Sequence, residues 1–202
     1  MAINDYATLQ SAAADWLARA DLTARIPDFI SLAEARLNRE LRVKQMQTTV
    51  SGTISAGQLT LPADCREIQS LRVETGGVYV ELEPLPPEAL QEIVPVTAFP
   101  IGYVVVNGVA KLIGYQADIG YQLTYWQQIP ALSAGQNWLI LRHPDVYLYG
   151  TLAQSAPFLR DDERLVTWGT LYKSAVDQVI EEDGRARYGN APRQQPAMRF
   201  TP

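Results

Sequence analysis

Asn137-Trp138-Leu139, Arg142-His143-Pro144-Asp145-Val146-Tyr147-Leu148-Tyr149-Gly150, and Ala156-Pro157-Phe158-Leu159-Arg160-Asp161-Asp162-Glu163-Arg164 follow one another in the last third of this chain. Pro144 suits the first turn of a helix, where its missing N–H costs nothing. That helix is expected to run to about Ser155, with Pro157 ending it. Asp161 or Asp162 then caps a second helix. Its apolar stripe is Leu165, Trp168, Tyr172, Ala175 and Val179, at helical spacing. Gly184 and Gly189 are the candidate stops. The segment reads as two packed helices joined by a stiff corner, with no arrangement that suggests an active site.

A second helical region opens the chain. Asp5 is the expected N-cap of a helix whose face carries Leu9, Ala13, Trp16, Leu17 and Ala20. Asp21-Leu22-Thr23 interrupts it. A further helix starts near Ile26, with Pro27 in its first turn and Asp28 favoured by the helix dipole. Ile30, Ala33, Leu37 and Leu41 form its apolar stripe. Glu34, Arg36, Arg39, Glu40 and Arg42 take the other sides, the pattern of a solvated mixed-charge face or of a subunit contact.

Between the helical regions the pattern turns to strand. Thr48, Val50 and Ile54 alternate with polar neighbours, and Leu59 to Pro62 ends in a turn. Ile68 to Glu74 and Val78 to Leu82 flank Gly76-Gly77, a hairpin signal. Tyr103 to Val106 and Val109 to Ile113 flank Asn107-Gly108, a stronger one, because both central residues tolerate positive φ. Tyr121, Leu123 and Tyr125 alternate in a last strand that ends at Trp126. Pro86 to Glu92 reads as one short helix with proline at its start.

These elements predict an α+β fold. Helices of residues 1–45 and 137–189 carry stripes that need each other, so they are expected to pack together. The β-rich residues 46–136 are expected to form a separate lobe, with 1–189 as one domain. Residues 190–202 lack periodicity and are expected to be an extended tail.

Composition bounds the function. The 202 residues hold 17 basic and 22 acidic side chains, a net charge of −5. After Asp183 the chain carries Arg185, Arg187, Arg193 and Arg199 and no acid, which leaves the rest strongly acidic. Clustered cations on the body, the footprint of a nucleic-acid binder, are missing. Charged residues make up 19%, against about 25% in ordinary proteins, as if partners covered some surface. The lone cysteine, Cys65, fits a reducing compartment and reads as a small apolar side chain. No signal peptide and no membrane span are expected, since no basic start followed by an apolar run occurs.

Chemistry has few candidates. His143 is the one histidine and stands at a helix entry, where a structural role is the usual one; no Gly-x-Ser-x-Gly elbow accompanies it. Cys65 and His143 make no metal pair. Asp161-Asp162-Glu163 and Glu181-Glu182-Asp183 are carboxylate runs, but consecutive residues on a helix do not face each other. The first run suits a helix N-terminus. The second opposes the dipole, with Arg185 and Arg187 to offset it. No cofactor is implied.

Ile26-Pro27-Asp28-Phe29-Ile30-Ser31-Leu32-Ala33-Glu34-Ala35-Arg36-Leu37-Asn38-Arg39-Glu40-Leu41-Arg42, the stretch Leu61-Pro62-Ala63-Asp64-Cys65, and the Asn137 to Gly189 segment occur here in this order. Together they resemble the phage head-to-tail adaptor (connector) proteins, and are similar to the tail tubular protein A of short-tailed phages. The resemblance implies a structural virion protein of the neck, made in the host cytoplasm. It implies a ring, commonly twelve-fold, that joins the portal to a tail or nozzle protein and lets the genome pass without specific binding. Twelve copies at −5 give a ring of about −60, which repels phosphate. The tail is then expected to lie on the portal or a neighbouring adaptor, with Met198 and Phe200 as buried anchors and Arg193 and Arg199 paired with acids. Two rival readings are a phage-encoded hydrolase using the carboxylates, and a carbohydrate- or partner-binding module using Tyr103, Tyr121, Tyr125 and Trp126.

Overall fold

The computed structural model describes residues 2–90, 97–159 and 163–188. It is an α+β protein whose described residues sort into two compact units, those within 2–44 and 129–188 and those within 45–128.

The first unit is helical. Helix α1 (Tyr6–Leu17) begins at Asp5, whose side chain accepts from the Thr8 N–H at 2.8 Å while the Thr8 hydroxyl oxygen accepts from the Asp5 N–H at 3.1 Å. This reciprocal cap satisfies two backbone donors that a helix end leaves open. Leu9, Ala13 and Leu17 are its buried face. Trp16 and Ala20 depart from the expected stripe. Trp16 is 46% exposed, its ring edge-on to Tyr149, and Ala20 falls beyond the helix. Ala18 takes left-handed φ 52° and ends α1, which leaves Ala20 beyond it; the buried row is i, i+4, i+8.

Helix α2 (Ile26–Glu40) starts with Pro27 in its first turn and buries Ile26, Phe29, Ile30, Ala33 and Leu37. Helix α3 (Trp138–Arg142) leads at His143 into α4 (Pro144–Ala153). Helix α4 buries Val146, Tyr147, Leu148, Gly150, Thr151 and Leu152. A short helix apolar on most sides belongs in the middle of a bundle, and α4 packs on α1, α2, α3 and α5. Gly150 allows the approach of α5: a Cβ there would stand 3.1 Å from the Tyr172 ring.

Helix α5 (Arg164–Tyr188) buries Trp168, Tyr172, Ala175, Val176 and Val179, with Leu165 half-buried. Gly184 does not stop it. The helix runs on to Tyr188, with Glu181–Arg185 and Asp183–Arg187 ion pairs at 3.1 and 2.6 Å on either side of the glycine. The expected caps Asp161 and Asp162, the stop at Gly189 and the tail lie outside the described residues. Helices from both chain ends therefore pack together, as their stripes require.

The second unit holds two antiparallel sheets around one core. Strands β1 (Gln47–Ile54), β3 (Cys65–Thr75), β4 (Val78–Leu82) and β7 (Ile119–Gln127) form a sheet in the order β1-β7-β3-β4. Strands β2 (Gln58–Thr60), β5 (Gly102–Val106) and β6 (Val109–Ile113) form the other, in the order β2-β6-β5. Both expected hairpins are present. Gly76 and Gly77 have φ of 60° and 80°, and Asn107 and Gly108 have 51° and 75°, the left-handed pair a tight two-residue turn needs. Ile54, Leu71, Val73, Tyr103, Leu112, Leu123 and Tyr125 sit in the shared core, with Cys65 packed against it. The short helix expected from Pro86 is a 3₁₀ turn at Pro87–Leu90; residues 91 and 92 lie outside the described residues. Residues 129–136 cluster with the helical unit, ahead of the expected boundary at 137.

Candidate functional site

In the helical unit, buried polar groups hold the backbone in place. Asn137 is the N-cap of α3. Its carboxamide oxygen accepts from the Leu139 and Ile140 N–H groups at 3.1 and 3.0 Å. Its nitrogen donates to the Pro130 carbonyl at 2.7 Å and to the Tyr147 hydroxyl at 2.8 Å. Every bonding position of the amide that these partners can use is filled, which is what makes a buried Asn tolerable. On α2, Asn38 accepts from the Ile129 N–H at 2.8 Å and Glu34 accepts from the Leu132 N–H at 2.7 Å. The segment 129–137 is thus bolted to α2 at one end and to α4 at the other.

Glu34 was readable as part of a solvated face, and the fold instead turns it, with Asn38, toward the segment 129–132. Partial burial pushes the Glu34 carboxyl up, against the smaller pull of the Leu132 N–H. The signal in the sequence was their spacing: four residues apart and next to the apolar row, they share an edge of the buried face.

A second polar cluster ties α2 to α5. The Tyr172 hydroxyl donates to Glu40 at 2.7 Å, Arg36 donates to the other Glu40 oxygen at 2.7 Å, and the Arg36 guanidinium lies 4.3 Å over the Tyr172 ring. Burial works against the Glu40 charge, but the Arg36 and Tyr172 hydrogen bonds outweigh it, so the carboxyl is held below its ordinary value. Burial first and the carboxylate second push the Tyr172 hydroxyl well up.

The carboxylates of the Glu181 run point three ways. Glu181 meets Arg185, Glu182 faces His143 Nε2 at 3.5 Å, and Asp183 turns in to accept from the Lys44 N–H at 2.6 Å and to meet Arg187. They do not converge on one point where a reacting atom could sit. Glu163 is exposed, and its partners Asp161 and Asp162 lie outside the described residues. Among the described residues no group of three or more His, Cys, Asp or Glu is placed to hold a metal ion.

The aromatic cluster is no open platform. Tyr103 and Tyr125 are core residues. The Tyr125 hydroxyl donates to Asp64 at 3.1 Å, and burial with that neighbour pushes it up to about 12. Tyr121 leans over Gly52 on the neighbouring strand, where a Cβ would meet its ring at 3.0 Å. These rings are cross-strand packing, as alternating aromatics in strands commonly are. Of the four aromatics, Tyr103 and Tyr125 are thus taken up by the core, while Tyr121 and Trp126 are half-buried.

Among the described residues, these polar clusters tie helices and backbone segments of the helical unit to one another. The chain belongs to the SU10 adaptor protein family, a phage head-to-tail adaptor family, which it matches over residues 4–196. Its role is therefore that of a structural head-to-tail adaptor of the virion neck. No curated protein matches the chain. No helix among the described residues is long and apolar enough to cross a membrane. Arg193, Met198, Arg199 and Phe200, the expected partner contacts, lie outside the described residues.

Proposed function

We propose that identical copies of this chain close into a ring, of twelve subunits, beneath the portal, that the ring joins the portal to a tail or nozzle protein, and that the genome passes through it. The family match over nearly the whole chain carries this reading. Two features support it. The low charged fraction suits a surface that partners cover. The net charge of −5 per subunit suits a conduit that repels phosphate and binds no sequence. Heterologous contacts between identical subunits close into cyclic symmetry, so one repeated interface is enough.

Residues 1–189 act as the adaptor body and 190–202 as the docking segment. Pro192 and Pro196 stiffen the free tail and lower its ordering cost on a partner. Met198 and Phe200 anchor it and Arg193 and Arg199 meet acids. The body performs no catalysis in this reading. The test mixes the purified chain with its portal protein and runs a sizing column, with negative-stain imaging of the eluted peak. Co-migration and a ring of added density are expected. Separate elution at micromolar concentrations would remove the portal-joining reading.

A further inference from the structure

Among the described residues, the four-stranded sheet ends in two open edges. Strand β1 pairs with β7 alone and β4 with β3 alone among the described residues. The smaller sheet differs. The edge of β5 is covered by residues 83–85, where the Tyr103 N–H donates to the Glu83 carbonyl at 3.0 Å and the Leu85 N–H to the Tyr103 carbonyl at 2.7 Å.

Open edges invite pairing, and proteins commonly blunt them with lysine, proline or a bulge. These two are not blunted. Strand β1 reads Gln47-Thr48-Thr49-Val50-Ser51-Gly52-Thr53-Ile54, eight residues without a charge or a proline. Strand β4 has one charge, Glu81, which meets Arg72 of β3 at 3.4 Å on the exposed side of the sheet. The register shifts sit between β3 and β7, inside the sheet. Val78, Tyr79 and Val80 are 62%, 44% and 41% exposed. Val80 pairs with buried Val73, so it stands on the core-facing side of the sheet yet is left open.

The register says which backbone groups point out. The two-residue turn at Gly76-Gly77 makes Thr75 and Val78 a hydrogen-bonded pair. Alternation then directs the N–H and C=O of Tyr79 and Glu81 away from β3. Carried through Arg72–Gln122 and Leu123–Val50, the same alternation directs those of Thr49, Ser51 and Thr53 away from β7. Each edge thus offers donor–acceptor pairs two residues apart. All strand pairings in the sheet are antiparallel, so in the order β1-β7-β3-β4 the two edge strands run in opposite directions.

We propose that β4 of one subunit pairs antiparallel with β1 of the next, setting Tyr79 and Glu81 against two of Thr49, Ser51 and Thr53. This rests on the ring reading above and gives that ring its repeated contact. The two edges are different surfaces at opposite ends of one sheet, which is what a head-to-tail interface requires. Pairing extends the core-facing side across the joint, so that Val78 and Val80 gain the neighbour's β1, with half-buried Val50 on that side, as cover. A strand from a tail protein is the competing occupant of either edge.

Cysteine cross-linking tests it. In a Cys65→Ala background of the full chain, Tyr79→Cys is combined in turn with Thr49→Cys, Ser51→Cys and Thr53→Cys. Within one subunit the two positions are three strand spacings apart, roughly 14 Å, beyond the reach of a disulfide. Oxidation of the assembled protein, alone or on portal, is expected to give a ladder of multimers for at least one pair, while single variants stop at dimers. Tyr79→Pro removes an outward N–H and no bond within the sheet, and is expected to raise the concentration needed for assembly about tenfold, the equivalent of one hydrogen bond per contact. Its circular dichroism should match the parent. Rings that form with no ladder from any of the three pairs overturn the edge pairing and leave the adaptor reading standing. Absence of any assembly, with or without portal, overturns both. Tail protein cross-linked to either edge in assembled necks, in place of a second adaptor, also overturns it.

Discussion

The Asn137 carboxamide nitrogen donates to the Tyr147 hydroxyl at 2.8 Å, and both groups are buried. One side chain caps α3, holds the segment before it through Pro130 and pins it to α4. Asn137→Ala leaves two N–H groups, a carbonyl and a hydroxyl without their partner. A loss of about 3 kcal/mol in unfolding free energy is expected, since each orphaned buried group costs roughly 1–3 kcal/mol and relaxation recovers some. Asn137→Asp keeps both acceptor contacts and loses the donors, and should fall between the two. Urea melts read this out; an alanine variant within about 0.5 kcal/mol of the parent would refute it.

Two glycines make opposite predictions. Gly184 lies inside α5 with nothing within 4 Å of an added Cβ, so Gly184→Ala is expected to stabilise by about 0.7 kcal/mol. Gly57 has φ +66°, and a Cβ there would run into the Tyr115 carbonyl oxygen. Gly57→Ala is expected to destabilise by about 2 kcal/mol or more, through strain and the clash together. Thermal melts of the pair should move in opposite directions.

Glu40 carries a pH signature. Its folded carboxyl is held below the ordinary 4.5 by Arg36 and Tyr172. The stabilisation is therefore present above the unfolded value and is lost as pH falls through the folded one. Glu40→Gln is expected to be less stable than the parent at pH 7, and the difference should shrink steadily below about pH 4.5. Urea midpoints at pH 7 and near pH 3 measure it. An equal gap at both would mean that the charge contributes nothing.

Deletion of residues 190–202 addresses the docking segment. The unfolding midpoint of the body is expected to stay within about 2 °C, because the segment lacks the apolar density to build a core. Portal occupancy in negative-stain images should drop. Full decoration of portals by the shortened chain would show that the body alone docks.

What the chain's local pattern determined was its elements. Asn107-Gly108 and Gly76-Gly77 name their hairpins, because a two-residue turn needs positive φ and few residues supply it. Pro27 and Pro144 name helix starts for an equally local reason. The stripes on α2 and α5 showed which faces are buried, so the packing of both chain ends followed from their need for cover. Pairing was beyond reach. Strand β7 comes last of the seven among the described residues and lies between β1 and β3, and nothing in a strand's own residues names a partner so far away in the chain. Side-chain roles were equally distant: Glu34 and Asn38 look like any polar residues on a helix until residues 129–132 bring N–H groups to them. Periodicity records which face of an element is apolar. Only the folded chain decides which backbone group a buried polar atom meets, because that depends on contacts about a hundred residues apart, where local sequence carries no constraint.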